Sequence, residues 1–219
     1  MDLKIILEQL SKLVDPSEAF IEITNIAAIN DGDDFLKTKS PILLSIVNIE
    51  EDKTLKNQSV YIASSNNQTD VSRYKKPTQH LILSLLFSSY NKDLSKYLDG
   101  INKLKNVIYF FQQNNSFYYK DDHSELITYA TFLTKTDSQK EHYFKTTIEA
   151  ISLTSEQLNQ MWSYLGSKYM PSMLYKMRLC FIQESGTTQD KVVKKAKIDL
   201  WENNPTNVAG LIESGQFDL

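Results

Sequence analysis

Leu158-Asn-Gln-Met-Trp-Ser-Tyr-Leu-Gly-Ser-Lys-Tyr-Met-Pro-Ser-Met-Leu-Tyr-Lys-Met-Arg-Leu179 contains the clearest structural signals of this chain. It follows Thr154-Ser-Glu-Gln157, a capping box in which the first and last side chains satisfy backbone donors at a helix start. Apolar residues then recur at helical spacing, and Gly166 supplies the left-handed residue that ends the helix. Because Pro171 cannot continue a helix, residues 174–182 are predicted to form a core strand.

The same kind of pattern extends over most of the chain. Apolar residues at helical spacing predict amphipathic helices over residues 2–14 and 94–111. The apolar stripe predicted for the second of these helices is Leu94, Leu98, Ile101, Leu104, Ile108 and Phe111. Strands are predicted over residues 19–29, 42–49, 78–90, 116–119, 126–133 and 143–153. Together the elements predict an α+β fold: a mainly antiparallel mixed sheet with amphipathic helices packed on one side, and an extended C-terminal tail.

Two segments lack a regular pattern. Residues 50–77 have no clear period and contain the basic group Arg73-Tyr-Lys-Lys76, so we expect a mobile, exposed loop, with a hairpin tip of no function as the alternative. After Gly186 the sequence becomes polar. We therefore expect one domain over residues 1–184 and an extension over 185–219 that orders against a neighbouring subunit or partner.

The extension fits a strand and a helix almost equally well. Val192, Ala196, Ile198 and Leu200 share one parity, whereas Val192, Ala196 and Leu200 also recur at helical spacing. The residues expected to contact a partner are Arg73, Tyr74, Lys75, Lys76, Val192, Val193, Ile198, Leu200 and Trp201. Tyr74 among lysines also suits stacking on nucleic acid. Solvated or partner-facing lysines are the preferred interpretation, because the whole chain has a formal net charge of −3.

Composition narrows the class of protein. The 219-residue chain can bury a substantial core, and its single Cys180 excludes an intrachain disulfide scaffold. Its N-terminus has no signal-peptide layout, and no apolar run reaches the roughly 18 residues of a membrane span. We expect a protein made and folded in the cytoplasm.

Sequence motifs for catalysis or cofactor binding are absent. There is neither a P-loop nor a dinucleotide-binding glycine motif. His80, His123 and His142 lie far apart and away from Cys180, which disfavours a zinc site, and the Asp31, Asp33 and Asp34 turn lacks the remaining ligands of a calcium loop. No cofactor, metal or catalytic residue is predicted.

Three phrases together resemble one family. They are Pro41-Ile-Leu-Leu-Ser-Ile-Val-Asn-Ile-Glu-Glu-Asp52, Ile108-Tyr-Phe-Phe-Gln-Gln-Asn114, and the helix–Gly–Lys–Tyr–x–Pro–Ser phrase within residues 153–178. In this combination residues 1–184 resemble the tail-terminator or cap proteins of extracellular contractile injection systems, such as the antifeeding prophage and the Photorhabdus virulence cassettes. These particles are related to contractile phage tails.

The resemblance implies a structural protein. It implies a hexameric ring on the distal end of the inner tube, which stops tube and sheath polymerisation and couples the last sheath layer to the tube. The implied partners are the inner-tube protein, the sheath protein and further copies of the chain, without nucleic acid or membrane insertion. Assembly would occur in the cytoplasm before the particle is released or anchored. Two alternatives stay open: an adaptor ring elsewhere in the particle, and an enzyme or ligand-binding domain with unrecognised chemistry.

Overall fold

The computed structural model describes residues 3–29, 41–55, 61–64, 71–74, 79–91, 93–120, 124–182, 195–201 and 211–218. The chain divides into two compact units. The sheet unit comprises residues 1–57 and 78–183, and the hairpin unit comprises residues 58–77 and 184–219. The loop and the C-terminal extension of the sequence therefore fall within the same unit.

The sheet unit is built on seven strands. They are β1 (Ile21–Ile23), β2 (Ile42–Glu51), β5 (Gln79–Ser89), β6 (Ser116–Lys120), β7 (Leu126–Thr128), β8 (Tyr143–Ile151) and β9 (Ser172–Ile182). Their spatial order is β1-β2-β5-β9-β8-β6-β7. Only the β1–β2 pair of this sheet is parallel, and all other neighbouring pairs are antiparallel. The predicted α+β class with a mainly antiparallel mixed sheet is confirmed.

Five α-helices occur in the described part of the chain. They are α1 (Leu3–Val14), α2 (Tyr97–Gln113), α3 (Tyr129–Leu133), α4 (Asp137–Lys140) and α5 (Ser155–Leu165). The predicted capping box of α5 is present: the Gln157 N–H donates to Thr154 Oγ1 at 3.2 Å, and the Thr154 N–H donates to Gln157 Oε1 at 3.0 Å. Gly166 ends this helix in the left-handed conformation, with φ of 63°.

Helices cover both faces of the sheet, so the prediction that they pack on one side is wrong. The two longer helices, α1 and α2, share one hydrophobic cluster with Leu85 and Phe87 of β5. Helix α5 belongs to a second cluster, in which Trp162 packs with Leu86 of the same strand. Because successive strand residues point to opposite faces, the first cluster lies on one face of the sheet and the second on the other.

The predicted strand over residues 19–29 is too long. β1 ends at Ile23, and a 3₁₀ turn (Ile26–Ala28) follows. The Asn25 side chain caps this turn by accepting a 3.1 Å hydrogen bond from the Ala27 N–H. The turn carries Ile26 into the core on the α5 side of the sheet. A local asparagine cap therefore outweighs the strand propensity of the β-branched residues.

The predicted strand over residues 126–133 is only partly correct. β7 ends at Thr128, whose Oγ1 accepts from the Thr131 N–H at 3.5 Å and caps α3. Helix α4, which the sequence analysis missed, also begins at a capping box, formed by Thr136 and Gln139. Hydroxyl caps of this kind divide an apolar run into a strand and a helix.

The predicted stripe of α2 is also wrong at its N-terminal end. Leu98 is 71% exposed, whereas Gly100 is buried together with Leu104, Val107 and Phe111. The helix is thus rotated so that its glycine, rather than its leucine, faces the end of β5. The absence of a side chain at residue 100 permits this close approach.

The hairpin unit contains two strand pairs. β3 (Tyr61–Ser64) pairs antiparallel with β4 (Val71–Tyr74), so the expectation of an unstructured loop over residues 50–77 is wrong in this part. β10 (Lys195–Trp201) pairs antiparallel with β11 (Leu211–Asp218). Of the two conformations left open for the extension, residues 195–201 adopt the strand.

Candidate assembly interface

The sheet unit ends near the hairpin insertion in a buried carboxylate. Asp52, directly after β2, accepts hydrogen bonds from the Thr54 hydroxyl at 2.6 Å and the Thr54 N–H at 3.0 Å. These bonds hold the pKa of Asp52 below its ordinary value against the effect of burial, and the charges of Arg178 and His80 act in the same direction. Asp52 therefore stays ionised and fixes the point at which the chain leaves the sheet.

Backbone pairing also holds β2 and β5 together at the base of the hairpin insertion, which we call the neck. The Asp52 N–H donates to the His80 carbonyl at 2.8 Å, so that β2 and β5 remain paired up to the insertion. Arg178 lies on β9, which is separated from β2 by β5 in the sheet, and its Nη1 is 3.9 Å from Asp52 Oδ2. Asp52 thus connects β2 with β5 and β9 next to the hairpin insertion.

Two of the predicted interface residues near the insertion lie in β4. Arg73 is opposite Ile62, and Tyr74 is opposite Tyr61. Lys75 and Lys76 lie outside the described residues. Of the basic group, Arg73 and Tyr74 therefore lie on a paired strand.

The remaining predicted interface residues lie in the C-terminal extension. In β10, Ile198 is opposite Gly215 and Leu200 is opposite Glu213, with a register shift before Trp201. Val192 and Val193 lie outside the described residues. The β10–β11 hairpin falls within the same compact unit as the β3–β4 hairpin.

An open groove runs along α5 in the sheet unit. Its volume is about 430 Å³. We define the α5 groove by the residues that line it: Val47, Asn48, Ser84, Leu153, Gln157, Gln160, Met161, Tyr164, Leu165 and Leu174. Its floor is largely aliphatic, and Tyr164 on its rim is 90% exposed. This combination of an apolar floor and amide-bearing walls suits a protein side chain from a partner.

Helix α2 presents an exposed stripe of side chains on the other face of the sheet. We define the α2 ridge as Leu98, Asn102, Lys105 and Tyr109, which follow each other at helical spacing on the exposed side. Leu98 is 71% exposed and Tyr109 is 54% exposed. Leu98 and Tyr109 lie about three helical turns apart on this stripe, so the ridge combines two exposed apolar side chains with the polar Asn102 and Lys105 between them.

Sequence reasoning identified neither the groove nor the ridge. The helical periodicity of α5 predicted its buried side but not the open space beside Tyr164. The ridge was missed because Leu98 was assigned to the buried stripe. An assignment of Gly100, rather than Leu98, to the buried side of α2 would have predicted the ridge.

The described segments contain neither a cluster of metal ligands nor a helix suited to span a membrane. In the described segments, no three His, Cys, Asp or Glu side chains come together as metal ligands. Asp31, Asp33, Asp34 and His123 lie outside those segments. Over the same segments, no helix combines the length and apolar character that crossing a bilayer requires.

The comparison with protein families identifies the chain. Residues 4–195 match the model described as the Pvc16 N-terminal domain. The chain belongs to this family. The match confirms the resemblance predicted from the sequence and continues to Lys195, the first residue of β10. No curated protein matches the chain.

Two solved structures share the fold of this Pvc16 N-terminal domain. One is the PVC sheath/tube terminator in the extended state, from an extracellular contractile injection system, with a TM-score of 0.56 at 9% identity over 95% of this chain. The other is the tube-terminating cap of the anti-feeding prophage, with a TM-score of 0.51 at 13% identity over 89% of this chain. The matches span 66% and 60% of those two chains.

The groove and the ridge both belong to the region that matches the family. The α5 groove and the α2 ridge both lie within the residues matched to the Pvc16 N-terminal domain. The hairpin formed by β10 and β11 lies almost entirely beyond them. We therefore treat the two surfaces as features of the domain and the C-terminal hairpin as a separate element.

Proposed function

We propose that this chain is the terminator of a contractile injection particle. It forms a ring, with six subunits, seated on the distal end of the inner tube. There it stops polymerisation of tube and sheath and couples the last sheath layer to the tube. The observation that carries the proposal is that its fold is shared by a sheath/tube terminator and by a tube-terminating cap, and its family is that of Pvc16.

The physical task of a terminator fits the elements of this chain. The end of a stacked tube exposes strand edges and apolar patches, and the terminator covers them without presenting a new copy of the same surface. The β3–β4 and β10–β11 hairpins can pair with such edges, because strand addition supplies backbone hydrogen bonds and alternate side chains fix the register. The inner-tube and sheath proteins are the partners.

The C-terminal extension and the basic hairpin contact these partners. Residues 185–219 dock on the sheath or on a neighbouring subunit, with Ile198, Leu200 and Trp201 of β10 near the contact. Val192 and Val193 contribute to the same contact. On the other hairpin Arg73, Tyr74, Lys75 and Lys76 face a protein surface rather than nucleic acid, since the chain as a whole is acidic.

The chain acts by shape and carries out no reaction. It is neither a membrane-inserted protein nor a nucleic-acid-binding one, and it assembles in the cytoplasm before it becomes part of the particle. The buried Asp52 has the structural task of fixing the neck of the hairpin insertion. Its hydrogen bonds to Thr54 support this assignment.

Imaging of purified particles at subunit resolution tests the proposal. A particle that carries a tagged copy of this chain should show a ring at the end of the tube opposite the baseplate, in contact with the last sheath layer. A tag found at the baseplate would instead favour an adaptor ring. Particles with no density for the chain at either end would contradict the proposal.

A further inference from the structure

We propose that neighbouring copies of this chain meet head to tail, with the α2 ridge of one copy seated in the α5 groove of the next. The occupant of the groove is thus a second copy of this chain. The inference deepens the proposed function and rests on it, because it supplies the contact by which the terminator ring closes.

The placement of the two surfaces is the first argument. Strand β5 contributes Phe87 to the cluster beneath α2 and Leu86 to the cluster beneath α5. Because these neighbouring residues point to opposite faces, the ridge and the groove lie on opposite sides of one sheet. Two different patches on opposite sides of a subunit produce a head-to-tail contact, and such contacts close into a ring when the rotation between copies permits it.

The shapes and polarities of the two surfaces are the second argument. The ridge projects Leu98 and Tyr109, both of which are more than half exposed. The groove of about 430 Å³ offers an aliphatic floor that includes Met161, Leu165 and Leu174. Insertion of the ridge side chains would remove apolar surface of both copies from water, which is the main driving force of association.

The charges around the groove are the third argument. Glu50 lies at its edge and accepts a 2.6 Å hydrogen bond from Asn48, a lining residue. Glu156 lies one helical turn before Gln160, another lining residue. On the floor side, Lys176 of β9 pairs with Glu149 of β8 in the sheet register. The groove thus carries an excess of negative charge.

The charges around the ridge have the opposite sign. Lys105 places Nζ 5.9 Å from the centre of the Tyr109 ring, within the ridge itself. Lys96, before the helix, is offset by the neighbouring Asp93, and Lys103 is offset by Asp99 in a 2.9 Å ion pair. Lys105 therefore gives the ridge its net positive charge. A ridge that met another ridge would bring lysines together, whereas the acidic groove attracts them. Charge complementarity therefore favours the head-to-tail pairing.

Cross-linking inside assembled particles tests the contact. In a Cys180→Ala background, the Asn106→Cys and Ser163→Cys substitutions place one thiol beside the ridge and one beside the groove, at exposed residues that belong to neither surface. Purified particles are treated with a short bismaleimide and separated by denaturing electrophoresis. We expect the double variant to give a ladder of covalent oligomers of this chain, and each single variant to give no ladder.

A charge exchange supplies a second, independent measurement. Lys105→Glu and Glu156→Lys should each cause loss of most of the ladder, and the combination should restore it. Leu133→Ser is the matched control, since Leu133 is 55% exposed but lies outside both surfaces. This control should leave the ladder unchanged.

The outcomes separate this inference from the terminator proposal. Particles of normal length that contain the double variant but give no ladder would overturn the head-to-tail contact and leave the terminator role intact. The same holds if the single variants form covalent dimers, which indicates a symmetric contact, or if the thiols link to tube or sheath protein. Absence of the chain from particles would overturn both.

Discussion

Gly100 of α2 lies so close to Asn91 that a Cβ atom on the glycine would stand 2.9 Å from Cγ of the asparagine and overlap its amide nitrogen. The same Cβ atom would overlap the hydroxyl of Ser89 at the end of β5. Asn91 Nδ2 donates a 2.8 Å hydrogen bond to that hydroxyl. The packing of α2 on the sheet thus depends on the absence of a side chain at residue 100.

Gly100→Ala should therefore destabilise the protein despite the better helix propensity of alanine. The substitution gains about 1 kcal/mol of helix propensity. It displaces the Asn91 amide and leaves buried polar groups without partners, at a cost of about 1–3 kcal/mol. We expect a net loss of about 1 kcal/mol in urea unfolding. In an Asn91→Ala background the same substitution should cost less, because only the overlap with the Ser89 hydroxyl remains. An equal loss in both backgrounds would contradict the steric explanation.

Asp15 should make stability depend on acid pH. Its carboxylate, 1% exposed, accepts hydrogen bonds from the Phe20 N–H at 2.7 Å, the Ser17 hydroxyl at 2.7 Å and the Ile21 N–H at 3.2 Å. Burial by itself raises the pKa, but these bonds more than offset it and hold the pKa of Asp15 below 3.8. The ionised carboxylate stabilises the fold fully above about pH 4, and this contribution disappears as the pH falls through the lowered pKa.

The Asp15→Asn substitution should remove this pH dependence. We expect it to lower the free energy of unfolding by about 1–3 kcal/mol at pH 7. The difference from the wild type should shrink as the pH falls below about 4. Glu8→Gln on the exposed side of α1 is the matched charge control. A constant difference between Asp15→Asn and wild type from pH 7 to pH 2 would disprove the linkage.

Trp162 and Tyr164 should separate stability from assembly. Trp162 is 5% exposed and packs edge-on against Tyr169, with ring centres 6.0 Å apart. Trp162→Ala should lower the free energy of unfolding by about 3–5 kcal/mol through loss of packing and a residual cavity. Tyr164→Ala, two residues further along α5, should change it by less than about 0.5 kcal/mol. Assembly should nevertheless weaken in the Tyr164 variant. A Trp162→Ala protein of unchanged stability would show that Trp162 contributes to the interface rather than to the core.

Removal of residues 187–219 should leave the sheet unit folded. Both hydrophobic clusters consist of residues from the sheet unit, which extends to Gln183. We expect cooperative unfolding of the truncated protein, together with sheath that detaches more readily from purified particles. Particles that keep their sheath under the same treatment would show that the extension has no part in attachment.

Replacement of residues 58–77 by a short glycine–serine linker tests whether the sheet unit folds without the hairpin insertion. The 2.8 Å hydrogen bond from the Asp52 N–H to the His80 carbonyl brings the two chain ends together, so a short linker can connect β2 to β5. The sheet unit should keep its stability in circular dichroism melts. Unfolding of this variant at room temperature would mean that the insertion supports the sheet.

Much of the fold could be predicted from local chemistry. The capping box at Thr154, the glycine stop at Gly166 and the apolar run of β5 each specify their structure within a few residues. The errors arose where a distant contact decided the outcome. The burial of Gly100 depends on Asn91 and Ser89, and the end of β1 depends on a cap at Asn25 and a core position for Ile26.

The candidate interface was less accessible from the sequence. The α5 groove is formed by side chains from β2, β5, β9 and α5, which lie far apart along the chain. No sequence period reports such a space. The exposure of Leu98 likewise follows from the rotation of α2, which tertiary packing sets. The predicted interface residues of the two hairpins remain predictions, since only those within β4 and β10 have a described backbone register.

The length distribution of tubes and sheaths in particles made without this chain tests the terminator role most directly. Tubes and sheaths of irregular, extended length are expected when the gene is deleted. Uniform length should return when the intact chain is supplied from a plasmid. Particles of normal, uniform length in the deletion strain, with sheath still attached, would show that this chain is not the terminator.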